Sequence, residues 1–323
     1  MRKSNRSIKA VQWLAQNSGM CALAIVILIG TIINPRNFMS MGNMMNVLRQ
    51  STMVGLLACG MTIVIIVGEI DLTISALYCL TGIVAMKLAS FSVILALLLP
   101  IVMCGCVGIV NSIVINTMKV PPYVATLALG YTIRGIGLLI TDGRPVTTSV
   151  ELPDYFYGIA RGTVFGIIPV PAILMIACYA LIAYILGYTT LGRNIYATGG
   201  NLQAAKMMGI NTERTKILAH MMTCMLAAVS GLVLLSRVGS AQPDVGTGYE
   251  MYAVASTAIG GTHLGGGRGK VTGTLLGALV ITFLTNIINM QSYLDITWEK
   301  VLIGLVLIVA IMTQNVTSKL EKA

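Results

Sequence analysis

Glu69 and Asp71 stand two residues apart between two long apolar runs, and no other acidic pair in the chain is so placed. A carboxylate at membrane depth is costly and commonly functional, whereas one at the inner surface is simply hydrated. Asp71, followed by Leu72-Thr73-Ile74-Ser75, also reads as a helix N-cap. Capping, contact with a gate or pathway, and ion coupling are all open on these residues alone. Arg134 falls inside another apolar run and either snorkels outward toward Asp142 or faces an interior passage. Asn111, Asn116, Thr126, Asn286 and Asn289 are further polar candidates for lining a passage. A permeating solute needs partners that replace its water without holding it fast. Packing between helices is the competing use of each.

Bond chemistry finds no support. No Ser/His/Asp, paired-carboxylate or His-cluster constellation is present. The seven cysteines all fall inside apolar runs, and Cys104-x-Cys106 lacks a second pair or histidines at zinc spacing, so neither a metal site nor a disulfide is expected. His220 and His263 are too far apart in sequence to suggest a metal pair. Gly269-Lys270 is followed by Val271 and lacks the leading glycine of a phosphate-binding loop, so the chain carries no recognisable ATPase motif.

The elements that must position these residues are membrane spans. The 323 residues are 56% hydrophobic and 10% charged, with a mean hydropathy of +0.86; a soluble domain carries about 25% charged residues. The net charge of +10 comes from basic residues scattered between apolar runs, not from one patch, which argues against nucleic-acid binding. The expected class is all-α, a polytopic membrane protein of about ten transmembrane helices, at about 20 residues per crossing.

Residues 1–17 read as a cytoplasmic amphipathic segment, 18–316 as the transmembrane domain and 317–323 as a cytoplasmic tail. Spans are expected near 18–34, 48–67, 72–90, 92–116, 122–141, 168–188, 217–236, 251–262, 271–290 and 297–314, the eighth being short enough for a half-helix. Asn37–Asn46 is expected along the surface. An inverted repeat is compatible with this order, the second to fifth spans mirroring the seventh to tenth and the Gly68–Ser75 break matching the Gly239–Tyr249 loop. Gly265, Gly269, Gly273 and Gly277 recur every four residues, as in a helix face built for close approach, or with the first part irregular. With both termini inside, thirteen of the 21 basic residues face the cytoplasm, which sets the orientation.

The longest charged loop, Gly192–Lys216, holds a short helix opened by Asn201 and closed by Gly209. Leu202, Met207 and Met208 give it an adaptable apolar face, suited either to a partner's groove or to a solvated connector. This segment resembles the coupling helix of the ribose-type permease family of bacterial ABC importers. Gly68-Glu69-Ile70-Asp71-Leu72-Thr73 is similar to that family's Gly-Gly-Ile-Asp-Leu-Ser motif, with glutamate for the second glycine. Val124-Ala125-Thr126-Leu127, Gly143-Arg144-Pro145, Ser240-Ala241-Gln242-Pro243, Gly246-x-Gly248-Tyr249-Glu250, Ile259-Gly260-Gly261-Thr262 and Gly266-Gly267-Arg268-Gly269 follow in the family's order.

The resemblance implies a permease of a bacterial inner membrane importer for a sugar. Its implied partners are a second permease subunit in a homo- or heterodimer, a cytoplasmic ABC ATPase that binds ATP and magnesium, and a periplasmic or extracellular sugar-binding protein. The lipid bilayer surrounds it, and no cofactor is expected in this chain. Contact with the ATPase then falls to Asn201, Leu202, Ala204, Ala205, Met207, Met208 and Gly209. An ion- or proton-coupled secondary transporter is the alternative; it would call for more buried carboxylates than Glu69 and Asp71.

Overall fold

The computed structural model describes residues 18–148, 153–291, 295 and 297–322, with side chains up to Gln314. The expected amphipathic segment 1–17 lies outside the described residues. In chain order the helices are α1 (Ser18–Ile33), α2 (Met41–Val67), α3 (Ile74–Ala89), α4 (Val93–Met118), α5 (Pro122–Thr141), α6 (Asp154–Arg161), α7 (Val170–Tyr188), α8 (Thr190–Gly200), α9 (Leu202–Met207), α10 (Thr212–Val238), α11 (Tyr249–Ile259), α12 (Val271–Asn289) and α13 (Thr297–Lys322). A two-stranded hairpin, β1 (Thr163–Val164) and β2 (Ile168–Pro169), separates α6 from α7.

Among the described residues, α2, α4, α5, α7, α10, α12 and α13 are long and apolar enough to cross a membrane. The shorter α1, α3 and α11 supply the remaining three of the ten expected segments. Helices satisfy their backbone polar groups internally, which is what a hydrocarbon solvent demands. Of the stretch 37–46, the part from Met41 onward is helical: Ser40 accepts from the Asn43 N–H and starts α2 at Met41. The backbone of α13 runs on as helix through Lys322.

The core is built on α2, of whose most apolar stretch 94% is buried, and on α10, at 61%; α13 buries only 17% of its own and presents an apolar flank outward. α2 and α10 cross antiparallel. Ser230 Oγ donates to the Met53 carbonyl and, two turns back, Thr223 Oγ1 donates to that of Gly60, each at 2.8 Å. A Cβ on Gly60 would lie 3.0 Å from the Thr223 carbonyl oxygen, so glycine sets the approach.

The two halves repeat one plan. α2 and α10 each have 27 residues and end in a left-handed glycine, Gly68 at φ 93° and Gly239 at φ 79°. A break, a shortened helix (α3 or α11) and two further helices follow in both. Gly273 and Gly277 pack α12 on α11, where added Cβ atoms would stand 2.0 Å from the carbonyls of Gly260 and Ser256. Gly265 and Gly269 lie in the irregular connection ahead of α12, so only half of the glycine series forms a helix face.

Candidate functional site

The connection 68–73 between α2 and α3 holds a buried charge network. His220, two turns into α10, sits between two carboxylates, Nδ1 at 2.8 Å from Asp71 Oδ2 and Nε2 at 2.8 Å from Glu69 Oε2. A neutral imidazole has one N–H, so bridging two carboxylates through both nitrogens calls for the imidazolium form. Lys216, one turn earlier on α10, places Nζ 2.6 Å from Glu69 Oε1. The other Asp71 oxygen accepts from the backbone N–H and hydroxyl of Thr73, the N-cap residue of α3. Asp71 and His220 are fully buried and Glu69 nearly so. Burial alone would raise both carboxyls; the hydrogen bonds and charge of His220, joined at Glu69 by Lys216, outweigh it and hold both below their usual range.

The N-cap of α3 therefore falls two residues beyond the expected place: Asp71 precedes the N-cap Thr73 and serves it, rather than being the N-cap itself. Neither acidic residue is hydrated at a surface. Sequence reasoning missed His220 because its partners lie about 150 positions away. A histidine in register with Lys216, one helical turn apart in an apolar run, was the available signal.

The loop 189–211 folds into α8 and α9. Asn201 Oδ1 accepts from the Ala204 N–H at 3.0 Å and opens α9. Gly209, at φ 80°, closes it, with the Ile210 N–H donating to the Ala205 carbonyl. Ala205 is fully buried within this chain, whereas Met207 and Met208 are 83% and 69% exposed. The surface offered outward thus includes the methionine pair beside Gln203 and Lys206; Ala205 anchors the helix from beneath. Beside α9 opens a cavity of about 400 Å³ whose polar lining includes Lys206, Lys216, Lys119, Glu69 and Asn116. The same end of the bundle is knit by backbone: the Gly267 N–H donates to the Ile66 carbonyl, and a Cβ on Gly199 would lie 1.8 Å from that oxygen.

Residues 43–311 match the family described as the permease component of branched-chain amino acid transport systems. The chain belongs to this permease family. It is 38% identical to the ribose import permease of Haemophilus influenzae over 98% of each chain. It is 37% identical to that of Bacillus subtilis, over 90% of this chain and 89% of the relative. The D-allose transport permease of Escherichia coli is 31% identical, over 92% and 90%. No solved structure matches.

Within this permease three of the polar candidates gather around α3. Asp71 serves its first turn, Thr126 Oγ1 donates to the Ile70 carbonyl at 3.3 Å, and Arg134 donates to Ser75 Oγ at 3.4 Å. Arg134 also donates to Thr247 Oγ1 at 2.7 Å, in the connection just ahead of α11. The others are dispersed. Asn116 donates to Ser112, and Asn111 is buried in α4. Asn286 exchanges two amide hydrogen bonds with Asn43, a helix-to-helix tie, while Asn289 is exposed at the end of α12. Among the described residues no group of three His, Cys, Asp or Glu is arranged to hold a metal ion.

Proposed function

We propose that this permease is the membrane-spanning subunit of an ATP-driven importer for a sugar, acting by alternating access. The observation that carries the reading is similarity to ribose and D-allose permeases over nine-tenths or more of the chain. A pair of permease subunits forms the passage, and a soluble binding protein delivers sugar to the outer face. A cytoplasmic ATPase binds ATP and magnesium, docks on the Met207 and Met208 side of α9 and supplies the energy. Asn201 and Gly209 bound that helix and Ala205 is buried beneath it, while Leu202 and Ala204 lie beside the methionine pair in sequence and remain part of the proposed contact. Both termini lie in the cytoplasm of a bacterial inner membrane protein. The chain itself breaks no bond.

The test is uptake of labelled pentoses and hexoses into liposomes holding the permease, its ATPase and its binding protein. Accumulation that requires ATP and survives a protonophore supports the reading. Among the described residues, the buried Glu69–His220–Asp71 cluster is the feature that favours a proton-coupled carrier. Uptake that needs no ATP and collapses with the proton gradient would establish that alternative.

A further inference from the structure

The buried charge network lies between the helix that meets the ATPase and the two half-length helices, and its geometry joins them without slack. Four residues separate the end of α9 at Met207 from the start of α10 at Thr212, and α9 is bonded to that junction through Ile210 and Ala205. Lys216 and His220 project from the first turns of α10 onto Glu69 and Asp71 at 2.6–2.8 Å. Asp71 holds Thr73 at the head of α3. One residue into α3, Ser75 accepts from Arg134, whose other nitrogen reaches Thr247 just ahead of α11.

Two cations and two carboxylates balance, so no net charge stays buried. Each ion pair nonetheless carries a desolvation cost that apolar packing would not. A rigid, charge-balanced joint suits a place where helix positions must be handed on, because ionic hydrogen bonds have narrow geometry. The network also grades from the open side inward: Lys216 is 16% exposed beside the cytoplasmic-end cavity, Glu69 3%, and His220 and Asp71 not at all.

We propose that Lys216, Glu69, His220 and Asp71 are positioning residues that relay movement of α9 and α10 to α3, and through Arg134 to α11. The proposal rests on the importer reading. These residues contact neither ATP nor sugar; they couple the two events.

The experiment uses the reconstituted complex of permease, ATPase and binding protein, with wild type, His220→Gln and Glu69→Gln compared. It reads ATPase bound, ATP hydrolysed and sugar accumulated per ATP. Gln removes charge while keeping hydrogen-bonding capacity. The expected result is normal ATPase binding and continued hydrolysis, with sugar per ATP falling about tenfold in His220→Gln and less in Glu69→Gln, the scale on which networked residues alter coupling. A merely structural role would lower the amount of assembled complex and leave sugar per ATP unchanged, which overturns the proposal. If neither variant accumulates in the membrane, the network is a folding element and the relay is likewise overturned. If wild type itself imports no sugar on ATP, the importer reading fails; if wild type imports and both variants match its ratio, the relay alone fails.

Discussion

His220 and Asp71, 149 positions apart in sequence, meet with Nδ1 2.8 Å from Oδ2 in a site closed to solvent. That contact joins one of the two 27-residue helices, α10, to the break that ends the other, α2. It changes what substitution at Asp71 means. As a lone cap, Asp71→Asn would be mild, because Asn supplies the acceptor for Thr73. As half of a buried ion pair, it leaves the imidazolium short of a counter-charge. We expect Asp71→Asn to destabilise the permease by about 3 kcal/mol, seen as lower membrane abundance and an earlier thermal transition in detergent. Wild-type melting by this variant would place the pair outside the determinants of stability.

Acid should act on the same network with a definite sign. Both carboxyls in the folded chain lie below their ordinary values of 4.5 for Glu69 and 3.8 for Asp71. Their contribution is thus complete above those values and is lost as pH falls through the lower folded ones. The melting temperature of the purified permease is expected to drop as pH falls below about 4.5, and Glu69→Gln should drop less steeply over that range. Equal slopes would remove Glu69 from the account.

Docking of the ATPase is testable at two kinds of position on α9. Met207→Glu changes an exposed residue of the apolar face, so the chain should insert and accumulate normally while ATPase co-purification and uptake are lost. Ala205→Glu instead forces a carboxylate into a buried site of the chain itself, and the expected outcome is reduced abundance. Met207→Glu that keeps both ATPase and full uptake would make α9 a solvated connector.

Close helix approach predicts a contrast between two glycines. Gly277→Ala puts a methyl group 2.0 Å from the Ser256 carbonyl and must push α12 off α11, lowering folded yield. Gly187→Ala, in α7, meets nothing within 4 Å and should be neutral or stabilising by up to about 1 kcal/mol. Detergent melts of the two variants decide it; equal effects would refute the contact.

Orientation follows from labelling. In a cysteine-free background, Thr147→Cys should react with an impermeant reagent added outside intact cells, and Lys206→Cys should not. Cys106 is exposed, so the background substitutions are needed. Reaction at 206 but not at 147 would reverse the assigned sidedness.

What the sequence determined by itself is the solvent of this protein and the course of its chain. Apolar runs of span length, the glycines that end α2 and α10, and the Asn201 and Gly209 boundaries of α9 are local signals, set by transfer from water to lipid and by backbone freedom. Those signals carried the all-α class and the family motifs; of the ten expected spans, seven are helices long and apolar enough to cross a membrane among the described residues. Only the tertiary structure decided which polar residues meet. Nothing local to His220 shows that it bridges Glu69 and Asp71, nor does Arg134 show that it joins Ser75 to Thr247. Burial of Ala205 beneath two exposed methionines was equally out of reach, since helical spacing tells which residues share a face but not which face the rest of the chain covers. Long-range pairing depends on how α2 and α10 cross, and that crossing is set by glycine contacts and packing summed over the whole core.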